Sequence, residues 1–214
     1  KILHKIEAEV YGVKKNPLVP VAIEVVSPAL KEYLVKTFSA YEQSIFLAEH
    51  DVPQRPPVES IMQWRERVRR KLGIATGAYV YCYSGSYKPW QCADQTIAFF
   101  AQQYQKNKNN FLLVLSPDRQ AFERVLSEFK IPDAAFTVLS VEPKNLFEYL
   151  SAADAGLLFR EHDIINWVSR PTKMLEYQAI GLKIIHNNTV ALLVDQEDQL
   201  RMAQSFKNSS NEIC

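Results

Sequence analysis

Short apolar runs alternate with helical patterns from about residue 76 onward, and this alternation narrows the choice of fold more than any other feature. Residues 78–83 (AYVYCY) are rich in β-formers, and Trp90 to Gln105 carries Ile97, Phe99, Phe100 and Tyr104 at helical spacing. Phe111 to Leu115 (FLLVL) is a continuous apolar run, the pattern of a strand buried on both faces of a parallel sheet. Ser116-Pro117-Asp118 breaks that run and starts a helix from Arg119 to Phe129. A strand over 136–139, a helix from Glu142-Pro143 to Ala152 and strands over 155–159 and 182–185 keep the alternation going. The pattern predicts an α/β domain with a parallel sheet and right-handed crossovers. Residues 191–194 read as a sixth short strand, and Asp195 opens a final helix to about Phe206.

Upstream of this domain the order is similar but shorter. Residues 1–20 read as an amphipathic helix and a loop, 21–26 as a strand, Ser27-Pro28 as the start of a helix, and 44–48 as a second strand. Residues 51–58 (DVPQRPPV) form a linker, since prolines resist regular structure and stiffen the chain. A helix over about 60–72 follows, with Arg65, Arg67, Arg69, Arg70 and Lys71 around Trp64 and Val68. Its basic residues read as a solvated face. The expected domains are therefore 1–50, a linker with its helix over 51–75, an α/β domain over 76–208, and a frayed tail over 209–214.

Charge and composition exclude several functions. The net charge of +1 gives no global field for nucleic acid. No apolar run approaches the roughly 20 residues needed to span a bilayer. Cys82, Cys92 and Cys214 have no metal-site spacing, and an odd count argues against a disulfide framework, so reduced thiols and a cytoplasmic setting are expected. The histidines (His4, His50, His162 and His186) are not spaced for a metal either. The chain starts at Lys1 without a methionine, which reads as a processed or excised piece.

Candidate chemistry concentrates in Asp154–Gly181, DAGLLFREHDIINWVSRPTKMLEYQAIG. An apolar run ends in Arg160-Glu161-His162-Asp163, a polar loop follows, and Ser169-Arg170-Pro171-Thr172-Lys173 opens a helix that Gly181 closes. In an open parallel sheet, ligands bind beyond the carboxyl ends of the strands. The helix start offers free N–H groups and the positive end of the dipole, which suit a phosphate. Lys173 adds a mobile cation there, and Glu176 lies one turn further on, placed to accept from two sugar hydroxyls. A solvated Lys–Glu pair on an ordinary helix is the plain alternative. A second loop, Ser84-Gly85-Ser86 with Lys88 beyond it, follows the first strand, and its glycine lets backbone approach a phosphate. It is neither a GxGxxG fingerprint nor a P-loop, which disfavours a nicotinamide dehydrogenase.

Ser169, Pro171, Thr172, Lys173, Glu176, Tyr177, Ala179 and Gly181, with Asn166 and the Asp-x-Gly-Leu-Leu-Phe-Arg segment before them, resemble the nucleotide-sugar signature of GT-B glycosyltransferases of the retaining family 4 group. The resemblance implies the C-terminal, Rossmann-like half of such an enzyme, preceded by a remnant of the N-terminal domain. It implies a nucleotide diphosphate sugar as donor, no cofactor or metal, retention of configuration, and an acceptor site in the missing N-terminal half. Glu176 would hold the ribose. The N–H groups near Thr172 and Lys173, with the Lys173 ammonium, would hold the diphosphate, and Gly85, Ser86, Lys88 and Ser169 are further substrate-binding candidates. Arg160 or Asn166 would lie near the sugar, Arg160 and Lys173 being the catalytic candidates. The wider family carries an acidic residue where this chain has Val168, and an Arg near Ser86. Two other readings stay open: a non-catalytic nucleotide or protein-binding module, and a nucleotide-sugar epimerase. Peripheral membrane association of the parent stays open too.

Overall fold

A computed structural model describes residues 22–40 and 42–194. The helix expected within 1–20, the final helix from Asp195 and the tail over 209–214 lie outside the described residues. The chain divides into two compact units, one containing His162–Arg170 besides residues up to Val52 and from Asn188 on, the other containing Pro53–Glu161 and Pro171–Asn187.

The first unit is built on one parallel strand pair, β1 (Ile23–Val25) and β2 (Ile45–Leu47), joined through helix α1 (Pro28–Phe38). Ser27 caps α1 by accepting from the Leu30 amide at 3.0 Å, and Pro28 enters the first turn, where no N–H is needed. Val25, Leu34, Phe38, Ala40 and Ile45 close the small core. The buried Ser27 hydroxyl also donates to the Val168 carbonyl at 2.5 Å.

The second unit is a five-stranded, wholly parallel sheet flanked by helices. Its strands are β3 (Tyr79–Ser84), β4 (Asn110–Leu115), β5 (Phe136–Leu139), β6 (Ala155–Leu158) and β7 (Lys183–His186), in the order β5-β4-β3-β6-β7. Helix α2 (Val58–Lys71) precedes the sheet. Helices α3 (Ala93–Lys106), α4 (Arg119–Glu128) and α5 (Leu146–Leu150) connect its first four strands. A short helix, α6 (Ile164–Val168), belongs to the first unit, and α7 (Thr172–Ile180) leads into β7. Burial of β4 on both faces explains its unbroken apolar run. Leu112, Val114, Phe100, Phe122 and Leu126 meet in the main core.

Three expectations are corrected. Residues 191–193 form a 3-10 turn, not a sixth strand, with Ala191 and Val194 packed beside Trp167. The polar loop after residue 160 contains helix α6, whose cap is Asp163 accepting from the Asn166 amide at 2.6 Å. The basic face of α2 is not simply solvated. Arg69 donates to the carbonyls of Ala152 and Ala78 and, at 2.7 Å, to Asp154. Arg65 donates to Ala153 and Asp154, each at 2.5 Å. These guanidiniums satisfy loop carbonyls at the amino ends of β3 and β6, and so fasten α2 to the sheet.

Candidate functional site

The strand order of the second unit reverses direction of growth at β3. From β3 the chain moves outward through β4 to β5, then returns to place β6 on the other side. The crevice between the carboxyl ends of β3 and β6 is thus the topological switch point, where open α/β sheets bind ligands. Pairing there is sparse. β3 aligns with β4 over Tyr79–Ser84, but with β6 only at Tyr81↔Ala155 and Cys82↔Gly156.

The loop after β3 starts with Ser84 and Gly85. Gly85 has φ +136°, and its amide still continues the sheet by donating to the Leu115 carbonyl at 3.0 Å. A Cβ at this position would lie 2.8 Å from Gln91 Oε1 and 3.2 Å from Lys173 Nζ. The torsion favours glycine, and any side chain here would have to displace the ends of Gln91 and Lys173. The loop after β6 carries Arg160. Its amide donates to Asn187 Oδ1 at 3.2 Å, and its carbonyl accepts from Asn187 Nδ2 at 2.8 Å, tying this loop to the end of β7.

Helix α7 points its first turn into the same region. Pro171 precedes it, no side chain caps it, and Gly181 closes it in the left-handed conformation. Thr172 is exposed at the first position. Lys173 departs from the mobile surface cation expected. Only 6 % of it is exposed, its Nζ donates to Gln91 Oε1 at 2.7 Å, and it lies 4.1 Å from the centre of the Tyr83 ring. Burial, with the Arg160 guanidinium nearby, pushes the Lys173 ammonium down to about 7. Glu176 is half-buried one turn further along, and burial raises its carboxyl against the opposing pull of Lys173. Among the described residues Glu176 has no hydrogen-bond or ion-pair partner.

The structure therefore gathers Gly85, Ser86, Arg160, Lys173 and Glu176 around one crevice. Ser86 is held by its neighbours, its carbonyl taking the Tyr83 hydroxyl at 2.9 Å and its Oγ taking Gln91 Nε2 at 3.3 Å. Lys88 is exposed before the 3-10 turn Pro89–Gln91. Asn166 and Ser169 belong to the first unit and are used locally. Asn166 Nδ2 donates to Asp163 at 2.8 Å, and Ser169 Oγ donates to the Asn166 carbonyl at 2.8 Å. Val168 sits in the apolar cluster with Trp167. His186 ends β7, where burial lowers its imidazole, and His162 is exposed in the first unit. Among the described residues, no group of three His, Cys, Asp or Glu is arranged to hold a metal ion, and no helix is long and apolar enough to cross a membrane.

Sequence reasoning missed Gln91 and the role of Tyr83. Gln91 fell within an expected helix that starts only at Ala93, and nothing in a lone glutamine marks it as the partner of a lysine 82 residues away. An aromatic residue in a strand reads as core, which Tyr83 also is.

No family model matches the chain, and no curated protein matches it in sequence. Solved structures do match. A glycosyltransferase from Rickettsia africae superposes with a TM-score of 0.64 at 11 % identity, over 86 % of this chain and 48 % of that one. HepE from Anabaena, solved with UDP and glucose, gives 0.63 at 11 % identity, over 88 % and 50 %. WaaG, a glycosyltransferase involved in lipopolysaccharide biosynthesis, gives 0.61 at 17 % identity, over 79 % and 45 %. The chain has the Rossmann-like fold of the C-terminal half of GT-B glycosyltransferases. It spans about half the length of these structures. At such identities the likeness speaks for the GT-B fold, and the chemistry has to be argued from the site.

Proposed function

We propose that the chain is the donor-binding half of a glycosyltransferase and takes a nucleotide diphosphate sugar. The observation that carries this reading is the set of groups at the switch point: two cations, Lys173 and Arg160, face an uncapped helix start and a glycine loop, with the half-buried Glu176 beside them. A diphosphate fits the cations and the amides of Thr172 and Lys173, and ribose hydroxyls fit the open carboxylate of Glu176. In transfer, charge grows on the departing diphosphate, and preorganised donors at that spot lower the barrier. On this reading Lys173 and Arg160 stabilise the leaving group in place of a metal, and Gly85, Ser86 and Lys88 line the other side. Acceptor binding and retention of configuration belong to the whole protein, with an N-terminal half supplying the acceptor site and the cytoplasm as the setting.

A non-catalytic binding module of the same fold is the second reading. Val168 in an apolar cluster and the neutral, internally bonded Ser86 favour it. Calorimetric titration with UDP and GDP, repeated on Glu176→Ala, tests the donor site. A hydrogen bond to a charged group contributes about 1.5–3 kcal/mol, so the variant is expected to bind roughly tenfold to a hundredfold more weakly. Equal binding by the parent and the variant removes the ribose role of Glu176. Sugar transfer by the full-length protein excludes the non-catalytic module.

A further inference from the structure

Tyr177 stands behind the crevice and touches every element that forms it. It lies one turn beyond Lys173 on α7 and directly after Glu176. Its side chain is fully buried, yet it ends in a hydroxyl. That hydroxyl accepts from the Ser84 amide at 3.0 Å, and it lies 3.4 Å from the Leu157 carbonyl and 3.5 Å from the Cys82 carbonyl. Ser84 and Cys82 are on β3, and Leu157 is on β6. The phenol therefore enters the place where the two strands have stopped aligning, since their last aligned residues are Cys82 and Gly156. It occupies backbone groups that the divergence of the strands leaves open.

Gly156 is the other half of this arrangement. A Cβ there would lie 2.3 to 2.6 Å from three atoms of the Tyr177 ring. The strand is bare at the one position where the ring must pass. Apolar contacts along α7 resist separation but not sliding, whereas a hydrogen bond fixes distance and direction.

We propose that Tyr177 is a positioning residue of the donor site, its hydroxyl setting the height of α7 against β3 and β6 and so the places of Lys173 and Glu176 relative to Gly85 and Arg160. The proposal rests on the donor-site reading above. Tyr177→Phe removes one oxygen and keeps the ring. The comparison variant is Val138→Ala in β5, a buried truncation on the far side of the sheet that lowers stability without touching the crevice.

The full chain and both variants are titrated with UDP and GDP, and hydrogen exchange is followed in segments covering 82–87 and 157–161. The expected result is roughly tenfold or greater loss of nucleotide affinity in Tyr177→Phe, because small displacements of positioned groups are costly. Faster exchange in both segments is expected with it. Val138→Ala should keep the parent's affinity. Parent-like affinity or unchanged exchange in Tyr177→Phe overturns the proposal and leaves the donor site standing. Equal loss of affinity in both variants overturns it too, because the effect is then one of stability. Absence of nucleotide binding by the parent overturns the donor-site reading and the proposal together.

Discussion

Lys173 is a charge kept where water is scarce. An amide oxygen and a ring face compensate it only in part, and burial holds its ammonium down to about 7 from an ordinary 10.5. The unfolded chain therefore binds this proton more readily than the folded one. Below about pH 7 both states are protonated and the full penalty is present. As pH rises from about 7 toward 10.5 the folded state sheds the proton first, and stability grows. Lys173→Met keeps the length of the side chain and removes the charge. In urea unfolding at pH 6 the variant is expected to exceed the parent by about 1–3 kcal/mol, and that advantage should shrink by pH 9.5. A parent that is as stable as the variant at pH 6, with no relative gain at higher pH, contradicts this account. Sequence showed the lysine at the helix start but not its burial. That burial depends on Tyr83 and Gln91, which come from the far side of the crevice and leave no local pattern.

At the scale of elements, the alternation of apolar runs and helical patterns was enough to place every strand of the sheet within a residue or so. β5 was legible at Phe136–Leu139 because a short β-rich run there is bounded by turn residues on both sides. The run 191–194 misled because four apolar residues can equally fill a turn against Trp167, and periodicity cannot separate the two. Helix α2 shows the same limit for charge. Its arginines look like a solvated row, but Arg65 and Arg69 converge on Asp154, which also accepts from the Val80 amide at 2.7 Å. Asp154 therefore anchors α2 and β3 to the start of β6. Asp154→Asn is expected to lower stability by about 3 kcal/mol, since removing one partner of a largely buried ion pair strands the other charges. Chemical unfolding at pH 7 measures it. A loss under about 1 kcal/mol would reduce the cluster to a surface ion pair.

At the scale of the whole molecule, the parallel sheet was legible but its order was not. Sequence spacing cannot say that β6 lies beside β3, and only that adjacency creates the switch point. The same adjacency brings residues near 85, 91, 160 and 173 together, so the site was legible as separate loops and not as one crevice. Its resting state holds a depressed lysine next to a second cation. A diphosphate entering there supplies negative charge and raises the lysine back toward its ordinary range, so binding near pH 8 has to draw a proton from solution. The terminal phosphate of a nucleoside diphosphate, with a second pKa of about 6, is already ionised at that pH and contributes little of the change. The most direct measurement is calorimetric titration of the chain with UDP and GDP at pH 8, in two buffers of different protonation enthalpy. The account predicts binding of one nucleotide with net uptake approaching about one proton, and loss of that uptake in Lys173→Met. Nucleotide binding with no proton uptake, or with the same uptake in the Lys173→Met variant, would contradict it.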